Sequence, residues 1–301
     1  MSDGYLASAM RGDVLESDGP TPVVQRRRLR AELRRIRLDA NETQEQVAAA
    51  MDWSLSKLIR IENGSVGIST NDLKVLLGHY GIADDDKVEE LIALAKAARE
   101  RSWWRHYRDI ASPQLVQFIE YQAAAMITRN FEPVLVPGLL QTEAYARAVI
   151  EEFSGRPSKE RLDALVALRM KRQELLTRTG PPPWSFFILD EAVLRRRVGS
   201  QDVMDAQIRH LIGLTGRPDV TIEVIPFSAG VNRGMHGPFV ILEFPEPEDE
   251  DVLYLENSGG EVFHRDDQEE IVTYREIFEE LRKMSLGKET VDFLRGLLGE
   301  R

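Results

Sequence analysis

The chain has 301 residues, a formal net charge of −11 and no cysteine. That length suits two domains better than one core, and the missing thiols exclude disulfides, thiolate nucleophiles and cysteine metal sites. No run of about 18 apolar residues occurs, which excludes a hydrophobic spanning helix, and the opening Met1–Ala7 lacks the basic and apolar regions of a signal peptide, so a cytoplasmic location is expected.

Residues 1–21 carry Gly, Ser, Asp and Pro without periodicity and are expected to form a disordered tail. A helix follows from Val23 to Asp39, with Leu29, Leu33 and Ile36 as its buried stripe. Its cluster Arg26 to Arg30 is either a phosphate-facing patch or a solvated face. Thr43 can cap a second helix, and Gln46 three residues on can answer it as a capping box. Asp52-Trp53 breaks the pattern, and Ser54 is a good cap for a third helix.

On a helical wheel started at Leu55, Leu58 and Ile61 fall at about 300° and about 240°, whereas Ser56 and Arg60 fall at about 100° and about 140°. The rod from Ser54 to Glu62 therefore sets small, polar and cationic side chains opposite its apolar anchor. That shape and chemistry suit a DNA major groove, where arginine grips guanine. Lys57 flanks this face and is better placed for phosphate. A loop at residues 65–68 leads to a fourth helix, Asn71 to His79, with Leu73, Leu76 and Leu77 inward and His79 as a cation at its end.

Charge is unevenly spread. From Pro22 to Tyr80 ten basic residues outnumber seven acidic ones, and the acidity of the chain lies beyond them. A modestly basic head on an acidic body gains no phosphate attraction from that body, so affinity should lean on pairing two heads.

Asp84-Asp85-Asp86 open a connecting helix that runs to about Arg101, with Val88, Leu91, Ile92, Ala95 and Ala98 on one face. Trp103-Trp104-Arg105-His106-Tyr107-Arg108 follows. Aromatics among cations stack on unpaired bases, but a duplex offers none, so Trp103 and Trp104 read as a wedge between head and body. Helices are then expected over Leu115–Thr128, Gln141–Phe153 and Lys159–Arg178, with Pro133 and Pro137 interrupting between the first two.

Past the corner at Gly180-Pro181-Pro182-Pro183, strands are expected at Trp184–Leu189, Val220–Pro226, Phe239–Phe244, Val252–Glu256 and Glu261–His264. Helices Ala192–Arg197 and Asp202–Thr215 lie among them, and Gln268–Ser285 and Glu289–Leu298 come last. Helices first and strands later predict an α+β protein: an all-α head of five helices, then an α+β body with a mainly antiparallel sheet. The expected division is a tail at 1–21, a head at 22–82, a connecting helix at 83–111 and a regulatory body at 112–301.

Residues 25–80 resemble the helix-turn-helix of the phage repressor and Cro type, the xenobiotic-response-element family. The likeness rests on Leu33-x-x-Ile36-Arg37, on Thr43-Gln44-Glu45-Gln46-Val47-Ala48, on Ser54 to Glu62 and on Asn63-Gly64. Two positions depart from it: Asp52 stands where the family usually has Gly, and Glu42 where it has an apolar residue. The resemblance implies base-reading roles for Leu55, Ser56 and Arg60, phosphate contacts for Thr43, Gln44 and Lys57, and a structural ion pair between Arg37 and Glu62. Further segments resemble a group of actinobacterial regulators whose C-terminal domain has no known function. They are Trp53 to Leu58, Pro133 to Ala146, His236-Gly237-Pro238-Phe239 and Glu243-Phe244-Pro245. That likeness implies a role in development or secondary metabolism and a small partner protein encoded nearby.

Signs of catalysis are sparse. Histidines 106, 210, 236 and 264 lack metal-ligand spacing, no phosphate-binding glycine loop follows a strand, and Asp190-Glu191 and Asp249-Glu250-Asp251 are adjacent runs that point apart or into solvent. No enzyme activity, cofactor or metal is expected. The loop Phe227 to Gly234, with Asn232, Arg233 and His236, is either a ligand or partner loop or a plain connector. The expected function is sequence-specific binding of double-stranded DNA by a dimeric, nucleoid-associated transcription regulator whose body senses a ligand or partner and which meets no membrane. The alternative is an antitoxin-like partner binder in which DNA contact serves autoregulation.

Overall fold

Pro22 to Asp39 form α1, and the spacing of Leu29, Leu33 and Ile36 lays them on one side of it. In the computed structural model, residues 22–62, 66–98, 110–177, 183–244, 250–257, 260–264 and 268–299 are described. The tail, Asn63-Gly64, the Trp103-Trp104 wedge and most of the Gly180 corner lie outside them. The chain divides into two compact units, one ending at Arg101 and the other beginning at Ser102.

In the first unit α1 is followed by α2 (Gln44–Ala50), α3 (Leu55–Glu62), α4 (Thr70–His79) and α5 (Asp85–Ala97). Each of the shorter helices starts on a side-chain cap that satisfies an otherwise bare backbone N–H. Ser69 Oγ accepts from Asp72 N at 2.9 Å, and Asp84 Oδ1 accepts from Asp86 N at 3.0 Å. Leu33, Val47, Leu58, Leu73 and Leu91 meet in one core, so all five helices contribute to it. The expected connecting helix thus differs in role: Leu91, Ile92 and Ala95 of α5 are buried in the head. An apolar stripe on a helix of this length is stabilised by docking, and left bare as a connector it would stay wet.

The second unit begins with α6 (Pro113–Ala124), capped by Ser112, and then β1 (Ile127–Glu132). Next come α7 (Glu143–Phe153), α8 (Lys159–Gln173), β2 (Trp184–Asp190), α9 (Glu191–Arg195), α10 (Gln201–Leu214) and β3 (Val220–Ile225). The remainder is β4 (Phe239–Glu243), β5 (Val252–Asn257), β6 (Gly260–His264), α11 (Gln268–Met284) and α12 (Thr290–Leu297). Among the described residues no helix is long and apolar enough to cross a membrane.

The strands form one sheet in the order β3-β2-β1-β4-β5-β6. Antiparallel ladders join β1 to β4, β4 to β5 and β5 to β6, while β1–β2 and β2–β3 are parallel. The class is α+β, with a mixed sheet. The parallel half exists because α7 and α8 carry the chain from β1 to β2, and α9 and α10 carry it from β2 to β3, as parallel pairing requires.

One central strand departs from expectation. Residues 127 and 128 do not continue α6, and the prolines that follow do not open a loop at Phe131, because Ile127-Thr128-Arg129-Asn130-Phe131-Glu132 alternates sides with period two. Phe131 packs with Phe239, Phe278 and Leu281 beneath α11, whereas Leu139, Tyr145, Leu189, Leu211 and Val224 form the core on the other face under α7, α10 and α12. The body is therefore a sheet covered on both faces.

Candidate DNA-contacting surface

Thr43 begins the surface. Its side chain accepts from Gln46 N at 3.2 Å, and Gln46 Oε1 accepts from Thr43 N at 2.7 Å, closing the capping box at the start of α2. The turn after α2 holds Asp52 at φ 53°. Aspartate tolerates this left-handed angle better than most residues with a side chain, which accounts for the replacement of the usual glycine. Trp53 N then donates to Ala48 O at 2.8 Å, and Ser54 Oγ accepts from Lys57 N at 3.2 Å to start α3.

On α3 the wheel is realised. Leu58 and Ile61 are buried in the head core, whereas Ser56 and Arg60 are exposed. Leu55 is half-buried between them. Neither Ser56 nor Arg60 forms a side-chain hydrogen bond or ion pair among the described residues, so Arg60 presents its guanidinium fork to solvent. Ile59 beside it is also exposed, an apolar neighbour on this face that the wheel reading passed over.

Beneath that face lies a buried polar knot. Arg37 Nε donates to Glu62 Oε1 at 2.7 Å and Arg37 Nη2 to Glu62 Oε2 at 3.0 Å, a two-point fork that ties α1 to the end of α3. Arg37 Nη1 also donates to Glu42 O at 2.9 Å, and Gln44 Nε2 donates to Glu62 Oε2 at 2.7 Å. The Glu62 carboxylate holds the Arg37 guanidinium above its ordinary pKa. The nearby Tyr80 hydroxyl is likewise held well above the usual tyrosine range, chiefly by burial and then by the charge of Glu62.

This geometry sorts the phosphate candidates. Thr43 is exposed but uses its hydroxyl as a cap. One N–H of the Gln44 amide is engaged by Glu62, so a phosphate there would have only the second to meet. Lys57 turns back on the protein: its Nζ lies 3.2 Å from Asp72 Oδ2 and 3.9 Å from the centre of the Trp53 ring. A phosphate would compete with both. Glu42, the other departure from the family pattern, has Oε2 at 3.0 Å from His79 Nε2, so the polar residue there is matched across the head.

In the body, Asn232, Arg233 and His236 prove to be differently employed. Asn232 Oδ1 accepts from Gly234 N at 3.0 Å, capping a single 3-10 turn, and Arg233 pairs with Glu280 of α11 at 3.5 Å. His236 is exposed. Gly234 anchors the segment on the α11 side of the sheet, because a Cβ there would come within 2.5 Å of the Phe131 ring. No group of His, Asp and Glu that could hold a metal ion occurs among the described residues.

Comparison with known families gives two matches. Residues 28–91 match the family described as Helix-turn-helix domain, and residues 115–296 match the one described as Domain of unknown function (DUF5753). No curated protein and no solved structure matches the chain.

Proposed function

Since the chain belongs to the family of the domain of unknown function DUF5753 and carries a DNA-binding helix-turn-helix head, we propose that it is a dimeric transcription regulator reading one specific duplex sequence. α3 enters the major groove and its exposed Ser56 and Arg60 meet base edges, with Leu55 against a thymine methyl. Thr43 and Gln44 approach the phosphates beside the N-terminus of α2. Lys57 joins them only by leaving Asp72.

The observation that carries this reading is the exposed Arg60 guanidinium, without a partner among the described residues, on the face of α3 opposite buried Leu58 and Ile61. A side chain that folding does not use, held on a helix locked from below by Arg37 and Glu62, is free to spend its donors on a guanine. Footprinting on the DNA upstream of the protein's own coding region tests it. A protected, roughly palindromic site is expected, and no protection at low ionic strength refutes the reading. Pairing of two heads follows from their small net positive charge, and sedimentation that shows only monomer with and without that site would dispose of it.

A second reading has one observation in its favour. Phe227, Val231 and Met235 stand exposed along a single loop of the body, as befits a surface that docks a small partner protein while the head governs its own promoter. Co-purification with a small protein encoded nearby, and DNA binding confined to that promoter, would favour this antitoxin-like role.

A further inference from the structure

β1 lies where the two halves of the sheet meet, with β2 parallel on one side and β4 antiparallel on the other. In sheets with parallel strands, ligands gather outside the carboxyl ends of those strands where the order changes. Glu132 is the last residue of β1.

Alternation sends Thr128, Asn130 and Glu132 to the face opposite Phe131. Arg129 confirms the parity from the other side, since it pairs with Glu243 at 2.6 Å and with Glu279 of α11 at 3.1 Å. The face under α7 and α10 is otherwise apolar at Phe187, Leu189, Val220 and Val224. Three polar side chains in a row at its centre need an explanation.

They lack partners. Thr128 is fully buried and Asn130 is 6% exposed, yet among the described residues Thr128 Oγ1 and Asn130 Oδ1 have no hydrogen-bond partner. Each such orphan costs about 1–3 kcal/mol, so apolar residues of the same shape would have served folding better. Glu132 is half-buried, and among the described residues its carboxyl group makes no hydrogen bond or ion pair. Burial first, and then the charge of Glu256 on β5, push its pKa up to about 8, against the pull of Arg169 and Arg172 of α8.

The cations stand off. Arg169 Nη1 donates to Gln141 Oε1 at 2.7 Å, and its side chain lies so close to Gly138 that a Cβ there would come within 3.2 Å. Arg172 Nε donates to Gln122 Oε1 at 2.6 Å, with its guanidinium 4.8 Å from the Phe118 ring. Arg169 feels both Glu132 and Glu256, yet forms an ion pair with neither. Arg169, Glu132 and the exposed Glu256 thus feel one another's charge without closing an ion pair among the described residues.

We propose that this polar cluster at the carboxyl end of β1 is the effector site of the body, and that it takes a small molecule bearing a primary ammonium group. An ammonium offers three donors and no acceptor, which matches the orphan oxygen of Asn130, Glu256, and Glu132 once the arriving cation draws off its proton. A carboxylate on the same molecule meets Arg169. The site rests on the reading of the body as a sensor and names its ligand class.

The test titrates the full-length protein calorimetrically with alkylamines, short polyamines and the common amino acids. At least one primary ammonium compound binds, and Glu132→Gln and Asn130→Leu each weaken it about tenfold to a hundredfold, while Arg60→Ala leaves it unchanged. Binding by amino acids but not by amines of the same chain length assigns the carboxylate arm to Arg169, and the reverse restricts the ligand to amines. Two outcomes overturn the proposal: no compound of the panel binds, or the two body variants fold, as circular dichroism reports, and bind as the parent does. Stabilisation of the free protein by Asn130→Leu, with no ligand found, would mean a merely hydrated defect. DNA affinity measured with and without the bound compound separates the two layers, since binding without any effect on DNA leaves the site standing and refutes the sensor reading.

Discussion

Replacing Glu62 by alanine should unfold the head at far milder conditions than the parent needs. The Arg37–Glu62 pair is buried and closed by two hydrogen bonds of 2.7 and 3.0 Å. Removing the carboxylate strands the guanidinium, whose remaining bond in the knot is to Glu42 O, and takes the acceptor of Gln44 as well. Breaking a buried pair from one side costs about 3–5 kcal/mol, a large share of the ~5–15 kcal/mol that holds a typical domain together. Glu62→Gln, which keeps the shape and one acceptor, should cost less. The double replacement Arg37→Met with Glu62→Leu should come near neutrality, because no charge is then left bare. Urea unfolding of the full chain, followed by tryptophan fluorescence and by calorimetry, resolves the head transition. A loss below about 1 kcal/mol for Glu62→Ala would refute the account, since only an exposed ion pair is worth so little.

Arg60→Ala should relax specificity at one base position at a cost of about 1–3 kcal/mol, whereas Lys57→Ala should lower affinity for all sequences alike; competition binding across single-base variants of the footprinted site distinguishes them, and equal sequence-blind losses would show the groove orientation to be wrong. Glu132 ionises in the folded chain only near pH 8 against 4.5 for the free side chain. Its neutral form therefore fits the fold without penalty below about pH 4.5, stability is lost as pH rises from there to about 8, and holding the proton that the unfolded chain has released costs about 3 kcal/mol at neutral pH. Glu132→Gln should flatten that part of the pH–stability curve, and an unchanged slope between pH 5 and pH 8.5 would refute it. Gly234→Ala drives a methyl to within 2.5 Å of the Phe131 ring, so a loss of about 1–3 kcal/mol is expected in thermal unfolding. Asp52→Gly relieves a φ of 53° and should change stability by less than about 1 kcal/mol, the relief being offset by glycine's entropy.

The sequence by itself determined the head's local geometry. Capping at Thr43 and Ser54, the break at Asp52 and the inward set Leu58 and Ile61 all depend on residues within one or two turns of each other, where helical periodicity acts. The same locality made the outward position of Ser56 and Arg60 readable. Tertiary structure decided what depends on distant partners: the return of Lys57 to Trp53 and Asp72, the docking of α5 into the head, and the engagement of Gln44 by Glu62. It also decided β1, which the sequence pattern divides between a helix and a proline-broken segment and whose neighbours β2 and β4 lie more than fifty residues away in sequence. A strand takes its hydrogen bonds from elsewhere in the chain, so neither its place in a sheet nor the polar face it turns toward Arg169 can be read from its own six residues.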